Sequence, residues 1–152
     1  GNWPDFRTTM TGDQPVFATS WCNGAAGIGL ARLGLLDVVD APEVRAEIDA
    51  AVQISLSTGV ELQDHACCGN LGRIELLMTA AAQLDRPELM DIGLKQAGQV
   101  LARAARADAF LYSSRLPDGV FIPGFFMGAS GIGYHLLRLA DPERVPAVLL
   151  WA

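Results

Sequence analysis

The chain has 152 residues, 51% of them hydrophobic and 18% charged, which excludes a disordered chain and leaves room for a core without disulfide staples. Eleven Lys and Arg against seventeen Asp and Glu give a net charge of −6; with Lys95 the only lysine and no basic cluster, nucleic acid is not an expected partner. No run approaches the ~18 apolar residues of a membrane span, and the opening GNWPDFRTTMTGDQP is polar and Pro-containing rather than a signal peptide, so a cytoplasmic protein is expected.

Three segments share a Gly-x-x-Gly start followed by an apolar helix. In chain order the first is WCNGAAGIGLARLGLL at 21–36, whose apolar residues lie on every face, so the helix is expected to be buried all round. Next, 42–57 opens with Pro42-Glu43 and places Val44, Ile48, Ala51, Val52 and Leu56 on one side, opposite Glu43, Arg45, Glu47 and Asp49. The second Gly-x-x-Gly segment, CCGNLGRIELLM at 67–78, is slightly more polar through Arg73 and Glu75. A second one-sided helix over 87–106 sets Leu89, Ile92, Ala97, Val100, Leu101 and Ala104 against Lys95, Gln96, Gln99, Arg103 and Arg106. Residues 109–123, with Ser-Ser, Pro-Asp-Gly and Ile122-Pro123, read as a loop or short hairpin. The third segment, FMGASGIGYHLLRLA at 126–140, again reads as buried, and the tail PERVPAVLLW is too broken by proline for a long helix.

Covered and one-sided helices thus alternate, the pattern of an inner ring and an outer ring. The fold class is all-α, an α/α toroid, with inner-helix repeats near 21–36, 67–78 and 126–140. Three inner and two outer helices do not close a ring, so the chain is expected to be part of a larger one. That accounts for the sixteen glycines and the scarcity of charge: apolar faces here are expected to meet further helices.

Cys22 lies two residues before Gly24, and Cys67 and Cys68 stand directly before Gly69. With inner helices side by side at ~8–10 Å, all three thiols gather at one end of the ring. Helix N-termini there would favour thiolate. Three converging thiolates describe a zinc site with a fourth position open, the catalytic pattern. Against this stand three small buried hydrophobes, or a vicinal disulfide that would leave Cys22 unexplained. His65 is a rival ligand or acid/base group, but reads as a partly exposed loop histidine beside Asp64; His135 reads as a satisfied core histidine. The Gly-x-x-Gly segments lack the strand and Lys-Ser/Thr of a phosphate loop.

In SWCNGAAGIGLARL, HACCGNLGRIELL and PGFFMGASGIGYHLLRLADPERVPAVLLW the chain resembles the lanthionine synthetase C-like family, and more closely the C-terminal cyclase domain of class II lanthipeptide synthetases. The resemblance implies a double α-ring of which residues 1–152 are the last three repeats or so. It implies zinc held by Cys22, Cys67 and Cys68, the last standing where most members have His, as in a Cys-Cys-Gly subgroup. The extra thiolate adds a negative charge, which should make the substrate sulfur more reactive and less selectively used. The implied reaction joins a Cys of a ribosomally made precursor peptide to a dehydroalanine or dehydrobutyrine, forming a lanthionine or methyllanthionine thioether. The family's acid/base His lies upstream of the first Cys ligand, and residues 1–21 hold no His. The acid/base group is therefore expected upstream of this chain. The implied partners are the precursor peptide and the rest of the same synthetase, including an N-terminal dehydratase region. Two alternatives stay open: a module that binds zinc and a thiol or peptide without cyclising it, and a helical scaffold with incidental cysteines.

Overall fold

The computed structural model describes residues 2–6, 16–112 and 120–150. Five helices dominate: α1 (Ala25–Leu35), α2 (Pro42–Thr58), α3 (Asn70–Gln83), α4 (Pro87–Ala107) and α5 (Ala129–Ala140), followed by a 3-10 turn at Val148–Leu150. Two-residue strands β1 (Pro4–Asp5) and β2 (Val16–Phe17) pair antiparallel, Pro4 opposite Phe17 and Asp5 opposite Val16. The all-α class stands. No helix among the described residues is long and apolar enough to cross a membrane.

The two kinds of helix begin differently. Helices α2 and α4 open on Pro42 and Pro87, each followed by a glutamate in the first turn. There the fixed φ of proline and the helix dipole do the nucleating. Helices α1, α3 and α5 start instead at Gly24, Gly69 and Gly128, with no side-chain cap. The preceding loop folds back on the first turn, so the residue after each glycine donates its N–H to the carbonyl seven residues earlier: Ala25 to Ala18 at 3.3 Å, Asn70 to Gln63 and Ala129 to Ile122 at 2.8 Å. Both glycines of the motif are needed for this approach. A Cβ on Gly24 would land on the Ala18 carbonyl oxygen and one on Gly27 on that of Trp21; Gly72, Gly128 and Gly131 meet the equivalent carbonyls of Ala66, Ile122 and Phe125, and Gly69 that of His65.

Helix α3 lies at the centre, flanked by α1 and α5 and backed by α4, while α2 backs α1. Leu30, Leu33, Ile48, Val52, Leu76, Leu77 and Leu89 form the main core, and Leu71, Ile74, Met78, Ala97 and Ile132 a second cluster towards α5. Position, not composition, therefore sets burial. Every residue of α3 from Asn70 to Ala81 is buried, although its sequence is slightly more polar than those of the other two inner helices. Helices α1 and α5, expected to be covered all round, each leave one flank in solvent: Ala31 and Gly34 on α1, and Ser130, Gly133 and Leu137, which is 64% exposed, on α5. Each touches α3 on one side only, so an apolar flank stays uncovered.

On α4 the buried face runs through Leu89, Gly93, Gln96, Ala97, Val100 and Ala104. This corrects two positions: Leu101 is exposed and Gln96 is buried. Residues 109–112 and 120–123 carry neither helix nor strand, and the rest of the expected loop or hairpin lies outside the described residues. The tail forms turns and a 3-10 turn rather than a long helix, and Leu149 is buried with its carbonyl accepting Trp21 Nε1–H at 3.1 Å.

Candidate metal centre

The three loops that precede α1, α3 and α5 are joined edge to edge by their main chains. Positions two before the leading glycine are Cys22, Cys67 and Phe126. The Cys67 N–H donates to Phe126 O at 2.8 Å, and the Cys22 N–H donates to Cys67 O at 3.3 Å, with Trp21 N–H on the same oxygen at 2.9 Å. This ladder brings equivalent positions closer than helix packing alone would. Cys22 Sγ lies 3.3 Å from Cys68 Sγ, and Cys68 Sγ lies 3.5 Å from Cys67 Sγ. All three sulfurs fall within 4.8 Å of one another, and all three thiols are free.

Sulfurs about 2.3 Å from a tetrahedral zinc stand ~3.8 Å apart, so this set suits such an ion with a few tenths of an ångström of opening. Burial, with the neighbouring thiols adding to it, pushes Cys67 far above the ordinary thiol range, and burial pushes Cys22 up as well. At Cys22 and Cys67 this runs against the expectation that the helix N-termini favour thiolate: desolvation and like charges at close range outweigh a partial dipole charge. Cys22 and Cys67 are therefore neutral thiols as long as no cation stands beside them.

His65 differs from its expected state. It is wholly buried rather than partly exposed. Its Nδ1 accepts the Cys68 N–H at 3.2 Å, and its Nε2 is buried. Burial lowers its pKa, against the opposing pull of the Phe126 main chain and of Asp64, so the ring is neutral at pH 7. It does not join the three thiols as a possible ligand. His135 is the core histidine expected, buried on α5 with Nδ1 2.8 Å from Gly131 O and Nε2 3.8 Å from Glu75 Oε2.

One functional group was missed in the sequence. The buried carboxylate of Asp64, next to His65, accepts Leu111 N–H at 2.8 Å and Asn70 Nδ2–H at 2.9 Å, and pairs with Arg103 of α4. It ties the dithiol loop to the outer helix. Its charged partner is 39 residues away, with no local spacing to signal it.

Beside Cys22 opens a cleft of about 320 Å³ lined by Trp21, Cys22, Gly27, Ala31 and Leu149. The Trp21 ring stacks on Phe126 at 5.2 Å between centroids and 12° between planes. Phe126 and Met127, which hold in the third repeat the places of Cys67 and Cys68, are 42% and 44% exposed. The thiols are thus bordered by apolar surface.

No curated protein and no solved structure matches the chain. A family model, that of the lanthionine synthetase C-like proteins, matches residues 1–150. With that match over nearly its whole length, and with helices built on three Gly-x-x-Gly starts, the chain belongs to the lanthionine synthetase C-like family.

Proposed function

We propose that Cys22, Cys67 and Cys68 hold a zinc ion and that the chain serves thioether ring formation in a ribosomally made precursor peptide. The observation that carries this reading is the meeting of three free thiols from two repeats within 4.8 Å. When bound there, zinc supplies a positive charge that lowers the pKa of a substrate thiol from its ordinary ~8.5. In the reaction the substrate sulfur forms a bond to the β-carbon of dehydroalanine or dehydrobutyrine, the carbon–carbon π bond breaks, and a proton goes to the α-carbon.

The residues of this chain have three tasks. The thiols fix where the substrate sulfur sits, with Cys22 on the exposed side. Phe126, Met127 and the cleft beside Trp21 offer apolar contact to the peptide around that cysteine. The open flanks of α1 and α5 are the surfaces on which further helices of the same synthetase pack, and the acid that delivers the proton comes from that remainder. This is cytoplasmic chemistry on a peptide already dehydrated by a partner region.

Metal content and thiol consumption test the reading. Protein purified under reducing conditions should hold one zinc per chain, and Cys22→Ala should weaken zinc at least about 1000-fold. With a dehydrated, cysteine-containing peptide and the upstream part of the synthetase supplied, free thiol should disappear with zinc present and persist with chelator. A wild type that takes up no zinc sinks the proposal. Zinc uptake without thiol loss makes the protein a binding module instead.

A further inference from the structure

We infer that His65 is a positioning residue for the metal at the three thiols, acting through the peptide bond that joins Cys67 to Cys68. The inference rests on the proposed zinc site. Neighbouring residues of a regular strand send their side chains to opposite faces, yet Cys67 and Cys68 bring their sulfurs to 3.5 Å. Their convergence depends on the orientation of the peptide plane between them.

That plane is held at both ends. Its carbonyl, Cys67 O, accepts the N–H groups of Trp21 and Cys22 at 2.9 and 3.3 Å, so the first repeat grips it. Its N–H, that of Cys68, is held by His65 Nδ1 at 3.2 Å. The ring itself has no freedom to turn away: His65 is wholly buried, and its own carbonyl accepts the Gly69 N–H at 3.0 Å.

The other repeats separate this role from a general need of the fold. The position of His65 is Ser20 in the first repeat and Gly124 in the third. The third repeat folds the same turn, with Ala129 N–H on Ile122 O at 2.8 Å, and has no side chain at that position at all. The imidazole is therefore not what bends the chain. It stands only in the repeat that carries two thiols, with Nδ1 on the amide between them.

The test uses the full chain with His65→Ala, which removes the acceptor, and His65→Asn, whose Oδ1 can take the same amide. Zinc affinity is read by competition with a chromophoric chelator, the thiol geometry by the absorption spectrum of the cobalt-loaded protein, and the Cys68 amide by hydrogen exchange without metal. His65→Ala should weaken zinc about 10–100-fold, as loss of a group supporting a ligand does, alter the cobalt spectrum and expose the Cys68 amide to exchange. His65→Asn should restore affinity to within about 3-fold of wild type. Equal affinity and spectra in all three proteins overturn the inference while leaving the zinc site standing. Equal loss in both variants also overturns it, because ring packing rather than the amide bond would then matter. Absence of zinc from the wild type removes the proposed function and this inference together.

Discussion

The second and third repeats share one backbone and divide the chemistry between them. Both start at a glycine, both fold the preceding loop so that the next residue bonds the carbonyl seven back, and both place a second glycine under another carbonyl. Two places before the leading glycine, one repeat offers Cys67 and then Cys68, the other Phe126 and then Met127. The turn is thus a frame that tolerates thiols or large apolar groups at the same two positions. Their surroundings differ as sharply: α3 is enclosed, while α5 keeps an open flank.

Breaking the link between the two repeats should have the largest effect on stability. Arg138 of α5 donates to Glu75 of α3 at 2.7 Å and to the carbonyls of Pro142 and Val145 at 3.2 and 2.6 Å. Both charged groups are buried. Arg138→Met should therefore cost about 3–5 kcal/mol, because Glu75 would keep a buried charge without its cation; chemical denaturation measures it.

The matched pair Gly72→Ala and Gly131→Ala sharpens the comparison. Each new Cβ would meet a main-chain carbonyl oxygen, that of Ala66 or of Phe125. Each should cost about 1–3 kcal/mol, as overpacking does. The change beneath the dithiol loop should weaken zinc more, read by the same chelator competition; an equal loss of affinity in the two variants would show that the Cys67 N–H to Phe126 O bond carries the disturbance fully from one loop to the other.

The smallest effect concerns the two histidines, one in each repeat. Burial lowers the pKa of both His65 and His135. The unfolded chain then binds protons below its ordinary ~6.5 while the folded chain does not, so stability is full above that pH and is lost as the pH falls through 6.5 towards the folded values. The slope should not exceed about 1.4 kcal/mol per pH unit for each histidine. His135→Gln should flatten part of it in denaturation curves between pH 7 and 5.

Much of this molecule was legible in advance. The spacing of Pro42-Glu43 and Pro87-Glu88 located the outer helices, and the glycines at 24, 69 and 128 located the inner ones. Local rules govern both, since proline sets φ and a Cβ-free residue permits close approach. The meeting of Cys22 with Cys67 and Cys68 was legible through the repeat, which put Cys22 and Cys67 at equivalent loop positions with Cys68 next in the chain. The roles of His65 and Asp64 were not. A short polar stretch between helices reads as exposed, and only the closure of Arg103 and Leu111 over the loop buries it.

The sequence by itself determined the number, kind and starts of the helices, and it set Cys22 and Cys67 at equivalent loop positions with Cys68 beside the second, because propensity, capping and repeat spacing are properties of neighbours along the chain. Tertiary structure decided which inner helix is enclosed, that His65 is buried, and that Cys22 and Cys67 resist ionisation. Those depend on neighbours in space. Helix α3 is dry because helices stand on both sides of it, and Cys22 and Cys67 hold their protons because burial and the neighbouring sulfurs disfavour the thiolate.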